Sequence, residues 1–140
     1  MPRILGVDLG TRRIGLALSD PSGTLASPYE VLPRSGDRAH DHRAIITAAR
    51  ENEADRIVVG LPRSLSGRPG PAERSTLDEI DELRAAAPED ITIEPYDERF
   101  TTVIAERSLV QSGMRRDARK QVVDKVAAAV MLQSYLDAQW

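Results

Sequence analysis

Three carboxylates in this chain stand where the surrounding pattern asks for something else. Asp8 interrupts the apolar run RILGVDL. Asp97 and Glu98 close the strand-like run ITIEPY, immediately before Arg99 and a Thr-Thr pair. Asp124 opens a helical stripe, because positions 124, 127, 128 and 131 share one face and the other three are Ala, Ala and Met. Withdrawing a carboxylate from water costs several kcal/mol unless it is paired or bound to a metal, so each of the three requires an explanation. Taken singly, Asp8 could cap the turn before Gly10, and Asp97 or Glu98 could be a solvated strand end or a helix N-terminal acid that suits the dipole. A shared divalent-cation site explains all three together. Mg²⁺ takes few protein carboxylates and fills its remaining positions with water and substrate phosphates.

The elements that must carry these acids can be read from spacing and turn chemistry. Arg3 to Leu9 and IGLALS are short apolar strands joined by the turn-prone GTRR, which predicts a hairpin. After the turn signal DPSG, TLASPYEVL reads as a third strand, placed at an edge by Pro28. DRAHDHRAIITAARENEA has helical spacing, RIVVG is a buried-type strand ended by Gly60, and a helix is expected over about 72–87. Between the last two lies the Pro/Gly-rich loop LPRSLSGRPGPAE, and after the helix comes the strand ITIEPY. Thr101 or Thr102 can cap a helix to about Gln111 with Gly113 as its stop, and a final helix is expected from about Ala118 to Ala138. A three-stranded meander followed by alternating helices and strands predicts an α/β fold. Its mixed sheet is antiparallel on one side and parallel on the other.

Composition narrows the function classes. The chain has 140 residues and is 41% hydrophobic, which is enough for one compact domain over 1–140 and too little for two of ordinary size. There is no cysteine, so thiol nucleophiles, thiolate metal sites and disulfides are excluded together. The apolar run at MPRILGVD is too short for a signal peptide, and no stretch approaches a membrane span, so the expected compartment is the cytoplasm. The net charge of -3 conceals a strong asymmetry. Residues 73–98 hold ten acids and two arginines, whereas residues 99–125 hold five arginines, two lysines and three acids. Of 19 cations, 17 are arginine, the side chain that forks onto phosphate or carboxylate. His40 and His42 stand two apart at a helix start and read as solvated. Gly10 and Gly15 have Walker spacing, but Leu16 occupies the lysine position, so GTRRIGL is no P-loop. No G-x-S-x-G elbow occurs.

Four blocks, GVDLGTRRIGLALSD, VVGLPRSLSG, YDERFTT and VDKVAAAVMLQSYL, occur in this order over nearly the whole chain, and together they resemble the YqgF family, also called RuvX-like. The resemblance implies a ribonuclease H-like fold with a mixed five-stranded sheet in the order βββαβαβα. It also implies a cytoplasmic nuclease, dependent on Mg²⁺ or Mn²⁺, that processes the 5′ end of pre-16S rRNA, or alternatively a Holliday junction resolvase-type DNA endonuclease or a non-catalytic RNA-binding assembly factor. By position, the family's acidic residues fall on Asp8, Glu98 and Asp124, as catalytic residues and metal ligands. Lys125 follows Asp124 where the family more often has Ser or Ala. In this reading two metal ions clamp the attacking and leaving oxygens of a phosphodiester. Arg12, Arg13, Arg63, Arg68, Arg99, Arg115, Arg116, Arg119, Lys120 and Lys125 are the candidates for holding the nucleic-acid backbone, structured RNA or branched DNA, with a homodimer where two strands must be cut. Aromatic residues are 4% of the chain, which makes base stacking a poor main source of affinity. A sugar-kinase or actin-type phosphotransferase shares the D-x-G-T turn but closes two such domains over its nucleotide, and 140 residues supply one.

Overall fold

The computed structural model of the chain describes residues 3–62, 70–97 and 116–139, with backbone alone for 116–125. Three strands come first: β1 (Arg3–Leu9), β2 (Arg13–Ser19) and β3 (Ala26–Pro33). They are followed by α1 (Arg38–Glu51), β4 (Ala54–Leu61), α2 (Pro71–Ala86), β5 (Thr92–Asp97) and α3 (Arg116–Ala138). The order matches the sequence expectation, and the boundaries move by a few residues. β4 does not stop at Gly60: it continues through Leu61, and Gly60 pairs with Tyr96 inside the sheet. The helix expected from Thr101 to Gln111, the cap Gly113 and most of the Pro/Gly loop lie outside the described residues.

The strands form one sheet in the order β3-β2-β1-β4-β5. Short turns can join only antiparallel neighbours, and so β1 with β2 and β2 with β3 run antiparallel. Helical crossovers permit parallel pairing, and β1 with β4 and β4 with β5 are parallel. β3 takes the outer position that Pro28 requires, and its register with β2 shifts between Leu16 and Ala17. The turn from β2 to β3 is tied by Asp20, whose carboxylate accepts from the Leu25 amide at 3.0 Å, the Ser22 hydroxyl at 2.6 Å and the Thr24 amide at 2.9 Å. Those bonds, the one from Leu25 first, hold its carboxyl far below the usual range.

Strand alternation divides the core into two layers. Leu5, Val7, Ile14, Leu16, Ile57, Val59 and Ile93 face α1 and α2, burying Ile45, Ala49, Ile80 and Leu83 with them. Ala17 and Val58 face α3, against Ala128, Met131, Leu132, Tyr135 and Leu136. The second layer is thin over β1 because Gly6 presents no side chain there and α3 approaches closely. A Cβ added at Gly6 would lie 3.0 Å from the Leu132 Cβ and 3.4 Å from the Ala128 carbonyl oxygen.

A polar tie crosses the first layer. Arg34, just past the end of β3, donates to both Glu79 oxygens, at 2.6 Å to Oε2 and 2.9 Å to Oε1. His42 Nε2 lies 2.8 Å from Glu79 Oε2. Glu79 and His42 are 6% and 3% exposed, so the expectation that His42 is solvated is overturned. An isolated imidazole at a helix start would face water, but α2 packs a carboxylate against this one. Burial alone would raise the Glu79 pKa, yet the hydrogen bonds from Arg34 and His42 hold it below the ordinary value.

Two outcomes follow from this packing. Gly6→Val should destabilise the protein by about 1–3 kcal/mol, because α3 must move outward to admit the side chain; urea denaturation measures it. A depressed carboxyl pKa contributes stability that is complete above the unfolded value of about 4.3 and is lost as pH falls through the folded value. The wild type should therefore lose more of its urea midpoint than Glu79→Gln when pH is lowered from 6 to 3.5.

Candidate active site

Asp8 is the penultimate residue of the central strand, at its carboxyl end, and is half-buried. Gly6 meets α3, and by the two-residue period of the strand Asp8 lies on that same face. Its register partner on β2 is Gly15. Gly6 before it and Gly15 beside it bring no side chains to this part of the sheet face, so among the paired strand residues around it Asp8 carries the polar group.

The direction of α3 decides which of its residues approach this part of the sheet. Gln133 accepts from the Ala26 amide at 2.9 Å and donates to the Thr24 carbonyl at 2.8 Å, at the end of the sheet where β1 begins. Tyr135 packs there too: its hydroxyl accepts from Arg56 at 2.7 Å and donates to Glu94. Ala128 and Leu132 cover Gly6, so α3 descends as β1 rises, and the turn before Ala128 lies toward Asp8. The N-terminal half of α3, which carries residue 124, therefore runs toward the end of the sheet where β1 ends. Arg116, Arg119, Lys120 and Lys125 belong to the same N-terminal half of α3.

β5 separates the two acids of the DER block by parity. The Tyr96 hydroxyl meets Ser134 Oγ at 2.8 Å, and its ring stands edge-on to Tyr135 with centroids 5.6 Å apart, so Tyr96 faces α3. Asp97, the last residue of β5 and the partner of Leu61, is turned to the other face. It does not share the face of Asp8. Among the described residues no group of three acids or histidines is assembled that could hold a metal ion. Glu98 and the Asp124 side chain, which the sequence pairs with Asp8, lie outside them, as do Arg63, Arg68, Arg99 and Arg115 and the side chains of Arg116, Arg119, Lys120 and Lys125.

The turn after Asp8 is built without slack. The Gly10 amide donates to the Asp8 carbonyl at 3.1 Å, and a Cβ on Gly10 would fall 2.5 Å from the Arg13 carbonyl oxygen. Only glycine fits. Arg34 grips the same turn twice, through its backbone amide to the Arg12 carbonyl at 2.9 Å and through Nε to the Gly10 carbonyl at 3.0 Å. Arg12 is exposed on the turn and Arg13 is half-buried at the start of β2. On the side of the sheet away from Asp8, a cleft of ≈ 410 Å³ is lined by Leu9, Gly10, Thr11, Arg34, Asp41 and Glu79. Sequence reasoning singled out Asp8 and passed over Arg34, Glu79 and His42. A signal existed: Glu79 shares the inner face of α2 with Thr76, Ile80 and Leu83, the same placement of an acid in an apolar stripe that drew attention to Asp124.

Comparison with known proteins agrees with this architecture. A relative from Nocardia farcinica, named "Putative pre-16S rRNA nuclease", is 44% identical over 140 residues, covering 96% of this chain and 77% of its own. One of the same name from Desulforudis audaxviator is 40% identical over 137 residues, covering 98% of this chain and 95% of its own. Among solved structures, Thermus thermophilus RuvC in complex with a Holliday junction substrate superposes with a TM-score of 0.59 at 16% identity, covering 99% of this chain and 96% of that one. That likeness identifies the fold as ribonuclease H-like. The model of the RuvX family, described as Holliday junction resolvase, matches residues 2–138, and the chain is a member of that family.

Proposed function

We propose that this RuvX family member, a hydrolase of phosphodiester bonds, trims the 5′ end of the small-subunit ribosomal RNA precursor in the cytoplasm. Asp8, Glu98 and Asp124 would hold divalent cations, Mg²⁺ or Mn²⁺. The observation that carries this reading is the placement of Asp8, a half-buried carboxylate at the carboxyl end of the central strand, with Gly6 before it and Gly15 beside it. The names of the relatives supply the substrate.

The donor set suits a hard cation, which prefers carboxylate oxygen and water, and a chain without cysteine offers no competing thiolate. Glu98 is favoured over Asp97 because Tyr96, two residues before Glu98, faces α3 as Asp8 does, whereas Asp97 is turned to the other face. Two cations at such a site, when bound, share the charge that develops on the entering water and the departing 3′ oxygen. The protein's own part is position and charge. Asp8 is paired with Gly15 of β2 and directly follows the last residue that β1 pairs with β4, a mount that loop residues lack. Arg12 and Arg13 of the first turn and Arg116, Arg119, Lys120 and Lys125 of the N-terminal half of α3 would hold the phosphates flanking the cut, and affinity would then fall with salt.

The decisive assay incubates the protein with precursor RNA, plain duplex and a four-way junction, with Mg²⁺ or Mn²⁺ against chelator. Cleavage of the precursor with cation only is expected; preference for the junction would move the reading to a resolvase acting as a homodimer. Asp8→Asn should abolish cleavage while the circular dichroism and melting of the fold are kept, and cleavage at the wild-type rate would refute the assignment. Glu98→Gln should lower the rate by orders of magnitude. Asp97→Asn should instead cost about 0.5–2 kcal/mol of stability, as loss of a helix cap would, with the rate little changed. The reverse pattern would transfer the role to Asp97.

A further inference from the structure

The structure assigns Arg34 as a positioning residue for the reaction, acting through the Gly10 carbonyl to hold the turn that carries Asp8, with Glu79 and His42 as its support; this rests on the proposed role of Asp8. Arg34 spends all three kinds of guanidinium nitrogen at once. Nε reaches the Gly10 carbonyl at 3.0 Å, and the two terminal nitrogens take the two Glu79 oxygens at 2.6 Å and 2.9 Å. Its backbone amide holds the Arg12 carbonyl at 2.9 Å. The Arg34 side chain is 17% exposed, so the guanidinium is largely withdrawn from solvent, and Glu79 beside it keeps it firmly protonated.

A purely structural role is a poor account of this arrangement. A buried ion pair gives little net stability over an apolar pair of the same shape, because desolvation of both charges offsets their attraction. The tie has a geometric use instead. Gly10 is two residues past Asp8, and its amide is bonded to the Asp8 carbonyl at 3.1 Å. The Gly10 carbonyl that Arg34 holds and the Gly10 amide bonded to Asp8 belong to successive peptides joined at the Gly10 Cα, so restraint of the first limits movement of the second. Only the planar fork of arginine can meet a carbonyl from Nε while engaging a carboxylate from both remaining nitrogens, and a lysine would have to choose. Glu79 is itself oriented by His42 at 2.8 Å. The chain of contacts runs from α1 through α2 and the β3 end to the catalytic turn.

The test measures kcat and KM for cleavage, together with melting temperature, for Arg34→Lys, Glu79→Gln and their double variant. Ile45→Val, a buried α1 substitution remote from the turn, serves as the stability control. Loss of positioning should lower kcat by about 10- to 100-fold, as displacement of a reacting group by about 1 Å does, with KM changed by less than about 3-fold. Because the residues act as one unit, the double variant should be no slower than the slower single one. Backbone amides of residues 9–13 should exchange faster in Arg34→Lys and be unchanged in Ile45→Val. Full kcat in Arg34→Lys and Glu79→Gln, with Asp8→Asn inactive, would overturn this inference alone. An equal kcat loss in Ile45→Val would overturn it as well, since the effect would then follow stability. Cleavage by Asp8→Asn at the wild-type rate would remove the Asp8 assignment and this inference together.

Discussion

The crossing of α3 over β1 at Gly6 is the contact on which the remainder of the molecule depends. A helix can lie this close to a strand only where the strand has no side chain, and Gly6 meets the Leu132 side chain and the Ala128 backbone there. The approach fixes the depth of the α3 layer and sets the helix register against the sheet. It also directs the N-terminal half of α3 toward the end of the sheet where β1 ends. The residues that tie the lower half of α3 are polar: Gln133 to the β2–β3 turn, Tyr135 to Arg56 and Glu94, Ser134 to Tyr96. Hydrogen bonds have direction, so they fix the rotation and slide of the helix, which contacts between alanines would not.

The two faces of the sheet do different work. On the α1 and α2 side the core is conventional, with large aliphatic side chains and fully buried Ile45, Ile80 and Leu83. Among the polar groups buried there, Arg34, Glu79 and His42 are paired with one another, and Arg34 reaches the backbone of the first turn. On the α3 side the strand residues shrink to Gly6, Ala17 and Gly15 toward the carboxyl end of β1, and the apolar layer gives way to a carboxylate. In a parallel arrangement the carboxyl ends of β1, β4 and β5 collect at one edge, where strands stop and side chains can project past the sheet. Charge is divided along the chain as well, with acids concentrated over residues 73–98 and cations over 99–125.

Much of this was legible in the residues. The turn GTRR, too short for a crossover, required an antiparallel hairpin, and Pro28 required an outer strand. The alternation of helix and strand after residue 37 required parallel pairing, and an aspartate within GVDLG was conspicuous because it interrupts an apolar run. The order of the elements and the central acid thus follow from chain chemistry alone, since turn length, proline geometry and hydrophobic period are local properties. What local properties cannot report is which surfaces meet. His42 read as solvated because its neighbours in sequence are polar, and only the packing of α2 against α1 brings Glu79 to it. The Arg34 grip on Gly10 joins residues 24 apart, and the descent of α3 along β1 joins residues more than a hundred apart. Even the choice between Asp97 and Glu98 rests on which face Tyr96 presents to a helix 38 residues further along. The residue types and their order settled the elements and marked the acid. The tertiary structure alone decided which face that acid occupies and what holds its turn in place, because those are properties of contact between segments that no single segment contains.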